Sequence, residues 1–254
     1  MALTTDQCLI LAAGNGSRLV SKSGGLPKPL VPLHDVPLLA HVVLSACEAG
    51  VGDFVIVVGY RGEMIRHWFA NHRPHGARIT FVENREYERG NGSSVLEARQ
   101  QLCGPFLLVM ADHIFEPRTA RMMLKQQLEP GEAILATDRK LDTIFDLDDA
   151  TKVRCDGSRI AEIGKELTDY NALDTGMFLC GPSLFRALDR AANKGMCSLS
   201  DGMRALIRED KLRSFDIGDA HWQDVDTPEA LAYAEGIFDR DFSRTPVAEQ
   251  LARA

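Results

Sequence analysis

The apolar residues of this chain fall in short, nearly unbroken runs, and that pattern constrains the fold more than anything else in the sequence. CLILAA (8–13), FVIVVGY (54–60), ITFVEN (79–84), FLLVMAD (106–112), AILATD (133–138) and MFLCG (177–181) are each of strand length. A strand with one wet face alternates apolar and polar residues. A near-continuous run belongs to a strand covered on both faces, as in parallel sheets flanked by helices. Helix-like segments lie between the runs. PLLAHVVLSACEAG (37–50) ends on Gly50, a suitable residue just past a helix end. GEMIRHWFANH (62–72) spaces Ile65, Trp68 and Phe69 at helical intervals, and SSVLEARQQL (93–102) opens on serines able to cap it. Strand and helix in alternation predict an α/β protein with a mostly parallel sheet and helices on both faces.

The middle of the chain breaks this pattern. Residues 151–167, TKVRCDGSRIAEIGKEL, carry strand periodicity around a turn at Asp156 and Gly157, which predicts an antiparallel hairpin on the edge of the main sheet. Helices are expected over 182–193, 198–210 and 227–240, the last entered through Thr227, Pro228 and Glu229. Residues 1–240 thus form a single domain, and 241–254 a polar tail.

Bulk properties exclude several classes. The net charge of -7 argues against a nucleic-acid binder, which more often carries a basic face. No run reaches the ~18 apolar residues that membrane insertion needs. The start, MALTTDQ, has no basic stretch ahead of an apolar core, so it does not read as a signal peptide. The six cysteines include no CxxC pair and read as reduced thiols, which with the other features predicts a cytoplasmic protein.

The first run ends abruptly in Gly14, Asn15 and Gly16. A glycine turn after a buried strand lets backbone N–H groups approach an anion closely. Two common phosphate loops fail here. Leu19 stands where the dinucleotide pattern GxGxxG needs its third glycine, which also disfavours a nicotinamide dehydrogenase, and the GxxxxGK[ST] pattern fails at the same place. What is present is LAAGNGSRL (11–19) followed by PKPL (27–30). Taken alone, the glycines could be an ordinary strand-to-helix turn. With Arg18 and Lys28 at these spacings, the stretch resembles the nucleotidyltransferases that join nucleoside triphosphates to phosphorylated sugars, polyols or alkylamines.

The resemblance implies a Rossmann-like, three-layer α/β fold of the GT-A type, with a small antiparallel hairpin on the acceptor side. It implies that Ala12, Ala13, Gly14, Asn15 and Gly16 cup the nucleotide, and that Arg18 and Lys28 lie against its phosphates. In RGNGSSV (89–95), Gly90, Asn91, Gly92 and Ser93 would read the base, where the plain alternative is a turn and helix cap. Asp112 closes a strand at the crevice where ligands bind in open α/β sheets. The family pairs such an aspartate with one from a later segment to hold Mg²⁺. HWQDVDTPEAL (221–231) offers both Asp224 and Asp226, and Asp226 could instead simply cap the following helix. His113 could orient a ligand or merely fill the strand end. On the acceptor side the resemblance points to Lys165 as a phosphate ligand and to Asp174 for a hydroxyl, with Lys152 as a further cation. Arg18, Lys28 and Lys165 would be the catalytic cations.

GNGSS, MADH, ATKVR, RIAEIGKEL, DTGMF, LSDGM and WQDVDT follow one another in an order similar to the CTP:inositol-1-phosphate cytidylyltransferase branch. That implies CTP and a small phosphorylated acceptor as partners, and a homodimer is common in the family. Relatives of the branch often continue into a membrane-bound alcohol phosphotransferase domain; no such domain is read in this sequence, so a free-standing transferase is expected here. Cousins of the branch take phosphocholine or phosphonates, and a non-catalytic nucleotide-sensing subunit would share the fold.

Overall fold

The computed structural model describes residues 3–16, 19, 25–192 and 197–242. Strands β1 (Gln7–Ala12), β4 (Asp53–Val58), β5 (Arg78–Glu83), β6 (Phe106–Met110), β8 (Ala133–Asp138), β9 (Lys152–Asp156), β10 (Arg159–Gly164), β11 (Ala172–Cys180) and β12 (Leu212–Asp216) form one sheet. Their order is β5-β4-β1-β6-β11-β8-β12-β10-β9, and β9 also pairs with β11. A two-stranded hairpin, β2 (Pro32–Leu33) with β3 (Val36–Pro37), and a ribbon of β7 (His113–Phe115) with β13 (Trp222–Asp224) stand apart from it.

Five of the six runs read as doubly covered strands are just that, and ITFVEN is the exception: it forms the edge strand β5, whose residues are exposed or only partly buried. Along β1, Cys8, Ile10 and Ala12 join one core cluster, and Leu9 and Leu11 join the other. The first cluster is closed by α1 (Leu38–Ala49), α2 (Gly62–Asn71), α4 (Pro117–Leu124) and α7 (Pro228–Phe242). The second is closed by α3 (Asn91–Glu97), α5 (Ser183–Ala192) and α6 (Leu199–Arg208). Each fully buried Leu, Ile or Phe in these clusters contributes about 1.5–3 kcal/mol relative to exposure.

The sheet is mixed rather than mostly parallel, which corrects the sequence expectation. β5, β4, β1 and β6 run parallel, as do β8 and β12, but β11 is antiparallel to both β6 and β8. The reason lies between β8 and β11. That stretch carries the β9–β10 hairpin and a single 3₁₀ turn (Leu141–Thr143) but no α-helix, so nothing returns the chain across the sheet, and β11 comes back in the opposite direction. The hairpin itself forms where expected, turning at Gly157 with φ +58°.

Local signals held at several helix ends. Gly50 adopts φ +110° and closes α1, and Ser198 with Asp201 forms a reciprocal capping box on α6. Thr227 Oγ1 accepts from Ala230 N at 3.1 Å, so Thr227, not Asp226, caps α7. Two expectations need correction. The α3 helix begins at Asn91, ahead of the serines, and Ser93 Oγ donates to Gly90 O at 2.7 Å instead of capping the helix. The α7 helix extends to Phe242, past the helix end expected at 240, and residues 243–254 of the expected tail lie outside the described residues.

Candidate active site

The glycine turn and the proline-flanked lysine are packed against each other. Gly16 has φ +55°, and a Cβ placed there would overlap Lys28 Cβ. Pro27 is extended, and Lys28–Leu30 form a single 3₁₀ turn that sends the Lys28 side chain inward, 5% exposed. Ala12, Gly14, Asn15, Gly16 and Lys28 line a cavity of about 310 Å³. Ala13 is buried beside it, with its carbonyl accepting from Tyr60 N at 3.0 Å. Arg18 lies outside the described residues.

The β7–β13 ribbon assembles the acidic side. Its register pairs His113 with Asp224, and Val225 N donates to Asp112 O at 3.0 Å. Aspartates more than a hundred residues apart in the chain therefore converge. Lys28 Nζ lies 2.5 Å from Asp112 Oδ2, bonds Asp226 Oδ1, and stands 3.7 Å from Asp224 Oδ1. His113 Nδ1 bonds the other Asp112 oxygen at 3.0 Å and stops 3.8 Å from Asp224 Oδ1. Asp224 Oδ1 is buried and hydrogen-bonded to nothing.

These contacts set the charges. Burial alone would lower the Lys28 ammonium, but Asp112, Asp224 and Asp226 outweigh it and hold the group above its ordinary range. Burial would likewise raise Asp112, and Lys28 with His113 overrides it and drives that carboxyl well below the usual range. Burial pushes Asp224 up to about 6, with Asp112 and Asp226 adding to the effect and His113 and Lys28 opposing it. Burial works against a charged His113, yet Asp224 and Asp112 raise it to about 9. Three carboxylates facing the Lys28 ammonium and an imidazole, with one buried carboxylate oxygen lacking a hydrogen bond, fit a divalent cation.

A second cavity, of about 270 Å³, opens on the far side of Asp112 and Asp226, which line both cavities. Lys165, Asp174, Gly176, His113 and Trp222 line the second one. Lys165 Nζ is held by Asp149 Oδ1 at 2.6 Å. Asp174 Oδ1 accepts from Gly176 N at 2.7 Å, and burial raises the Asp174 carboxyl to about 6. Lys152 does not line this cavity. Its ammonium donates to Asp148 O at 2.9 Å, because alternate residues of β9 face opposite sides of the hairpin.

The loop of Gly90, Asn91, Gly92 and Ser93 has a structural duty. A Cβ at Gly90 would lie 2.6 Å from Cys197 O, and one at Gly92 would lie 2.8 Å from the same oxygen. Asn91 Oδ1 accepts from Leu199 N at 2.7 Å, which ties the loop to the start of α6, and Asn91 also lines the second cavity. Ser93 Oγ accepts from Asn84 Nδ2 at 3.0 Å.

Sequence reasoning missed Asp149, the partner of Lys165, although the acidic DLDDA run (146–150) just ahead of the hairpin was there to flag it. It also missed Trp222, which stacks on His113 with ring centroids 5.9 Å apart and donates from Nε1 to the buried Asp138 Oδ2 at 2.9 Å. The cysteines are all free. Cys8, Cys155, Cys180 and Cys197 are buried, Cys47 is partly buried, and Cys103 is exposed. No helix among the described residues is long and apolar enough to cross a membrane.

A glycine loop at the end of β1, a buried lysine, converging carboxylates and two cavities meeting at them define a nucleotidyltransferase-type site on a Rossmann-like α/β fold. The chain belongs to the family of MobA-like NTP transferase domains, whose model matches residues 8–213. It is similar to proteins named "Bifunctional IPC transferase and DIPP synthase". The one from Rubrobacter xylanophilus is 38% identical over 229 residues, 89% of this chain and 50% of the relative. The one from Aquifex aeolicus is 31% identical over 91% of this chain and 51% of the relative. The chain spans about half the length of these curated relatives. Among solved structures, the inositol-1-phosphate CTP transferase from T. maritima superposes with a TM-score of 0.83 at 25% identity, covering 97% of both chains. A UDP-glucose pyrophosphorylase complexed with UDP-glucose shares the fold, with a TM-score of 0.78 at 18% identity over 92% of this chain.

Proposed function

We propose that this chain transfers the cytidylyl group of CTP to a phosphorylated small alcohol, inositol 1-phosphate in the first instance, giving CDP-inositol and pyrophosphate. The observation that carries this reading is the shared wall. The glycine-loop cavity and the Lys165–Asp174 cavity touch at Asp112 and Asp226, so two anions seated in them meet beside Lys28. The names of the curated relatives and of the T. maritima structure support the choice of nucleotide and acceptor.

The acceptor phosphate has a second pKa of about 6, so at neutral pH it is largely dianionic and attacks the α-phosphorus without a general base. A bond forms from an acceptor oxygen to that phosphorus, and the bond to the bridging oxygen of pyrophosphate breaks. The protein's task is to bring two anions together and hold the charge that develops in line. The backbone N–H groups of 14–16 cup the triphosphate with Arg18, and Lys28 stands at the reacting α-phosphate. Gly90, Asn91, Gly92 and Ser93 seat the base. Lys165 leaves Asp149 for the acceptor phosphate, and Asp174 takes an acceptor hydroxyl. Asp112 with Asp224 or Asp226 would hold Mg²⁺, which would supply charge neutralisation on the triphosphate.

A pyrophosphate-release screen crossing the four nucleoside triphosphates with inositol 1-phosphate, phosphocholine, 2-aminoethylphosphonate and hexose 1-phosphates tests the reading. Release is expected with CTP and inositol 1-phosphate, lost in EDTA and restored by Mg²⁺. Turnover that persists in EDTA would remove the aspartate assignments, and release with a different pair would reassign the substrates.

A further inference from the structure

We infer that His113 is itself a metal ligand, so that Asp112, His113 and Asp224 form a mixed oxygen–nitrogen site that prefers Mn²⁺ and its later neighbours to Mg²⁺. This rests on reading the site as a nucleotidyltransferase centre that takes a divalent cation.

The cluster divides into two halves. Lys28 engages Asp112 Oδ2 and Asp226 Oδ1. Asp112, His113 and Asp224 each offer one ligand atom, and these three atoms lie within 4.8 Å of one another. Asp224 Oδ1 is the telling atom. It is buried and unpaired, 3.7 Å from the Lys28 ammonium and 3.8 Å from His113 Nδ1, just beyond hydrogen-bond reach of either. An unpaired buried carboxylate oxygen is costly, and a metal ion bound by all three atoms removes that cost. The 3.0 Å between Asp112 Oδ1 and His113 Nδ1 equals the edge joining two adjacent ligands about 2.1 Å from one ion at a right angle.

The His113 ring is also held as metal-bound imidazoles are. One face stacks on Trp222 at 16°, and Trp222 is anchored to Asp138. On another side, Gly176 with φ +74° leaves the space the ring needs, since a Cβ there would overlap the imidazole. Two carboxylates alone suit Mg²⁺, whereas an added imidazole favours Mn²⁺, Co²⁺ or Zn²⁺. Asp226 belongs to Lys28, so on this reading Asp224 is the second carboxylate on the ion.

The test needs neither nucleotide nor turnover. Free Mn²⁺ is followed by electron paramagnetic resonance as the full chain is titrated with MnCl₂, with Mg²⁺ as competitor. Electron spin-echo spectra then report whether a histidine nitrogen couples to the bound ion. The wild-type chain is expected to bind Mn²⁺ roughly tenfold or more tightly than Mg²⁺ and to show nitrogen coupling. His113→Ala is expected to lose both the preference and the coupling. His113→Asn keeps a donor for Asp112, so it separates a ligand from a mere hydrogen-bond partner and should lose both as well. The inference is overturned if the wild-type chain shows no nitrogen coupling, or if either variant keeps the wild-type preference. Nitrogen coupling in a chain that releases no pyrophosphate would sink the transferase reading and leave the metal site standing.

Discussion

Gly16 and Lys28 occupy space that admits only one side chain: the glycine stands at φ +55°, and a Cβ on it would overlap the Cβ of the lysine. On the proposed reading the glycine both forms the anion loop and makes room for the lysine that reaches the carboxylates. Gly16→Ala should lose about 1–2 kcal/mol of stability from the left-handed backbone alone. It should also lower kcat/KM by more than that stability loss explains, because Lys28 must shift. Thermal unfolding and steady-state kinetics on the same preparation check this. Wild-type kinetics in a folded Gly16→Ala protein would contradict it.

Lys28→Ala removes the ammonium that faces Asp112, Asp224 and Asp226. Turnover should fall on the order of 10²-fold or more, the scale set by losing one preorganised charge donor. The metal-free variant should also be less stable by about 1–3 kcal/mol, less than for a fully buried pair because the carboxylates keep some contact with water. A divalent cation should restore more stability to the variant than to the wild type. Differential scanning calorimetry with and without Mg²⁺ measures the difference, and equal gains in the two proteins would count against a shared carboxylate cluster.

Lys165→Ala is expected to raise the KM for the acceptor at least tenfold while leaving the KM for CTP within about twofold, since Lys165 lines only the second cavity. Asp149→Asn frees Lys165 from its ion pair and should move the acceptor KM far less. Initial-rate kinetics with each substrate varied in turn decides the matter. An equal rise in both KM values would show that Lys165 does not separate the two substrates.

Asp174 predicts a pH effect of known sign. Burial raises its carboxyl from 3.8 to about 6 in the folded protein. Stability from this group is thus complete below about pH 4 and is lost as the pH climbs through about 6. Asp174→Asn keeps an oxygen to accept from Gly176 N and cannot ionise. It should stabilise the protein at pH 8 by about 2 kcal/mol and by almost nothing at pH 4, while weakening acceptor binding. Melting temperatures across that range test the sign, and a variant less stable at pH 8 would refute it.

Much of this site was legible in the chain. LAAGNGSR and PKPL lie close together, so their glycines, Arg18 and Lys28 could be read as one unit, and Asp112 announced itself by closing an apolar strand. The α4 helix, β12, and the short β2–β3 and β7–β13 pairs went unforeseen. Strands of two or three residues carry too little periodicity to stand out from loops, yet the β7–β13 ribbon is what brings His113 opposite Asp224. The choice between Asp224 and Asp226 was open for the same reason. Both lie in one short segment, and only the folded positions of Lys28 and His113 distinguish their environments.

By itself the sequence determined that the central strands are covered on both faces, that the first ends in a glycine turn able to approach an anion, and that cations and carboxylates suited to phosphate transfer are present. These follow from local pattern, because burial on two faces and a left-handed turn each dictate residue types within a few positions. Only the tertiary structure decided that the sheet is mixed, that Lys152 points away while Lys165 enters a cavity, and that Asp112 and Asp226 wall both cavities. Those facts depend on contacts between segments far apart in the chain. No local pattern records which carboxylate a lysine will reach once the backbone has folded around it.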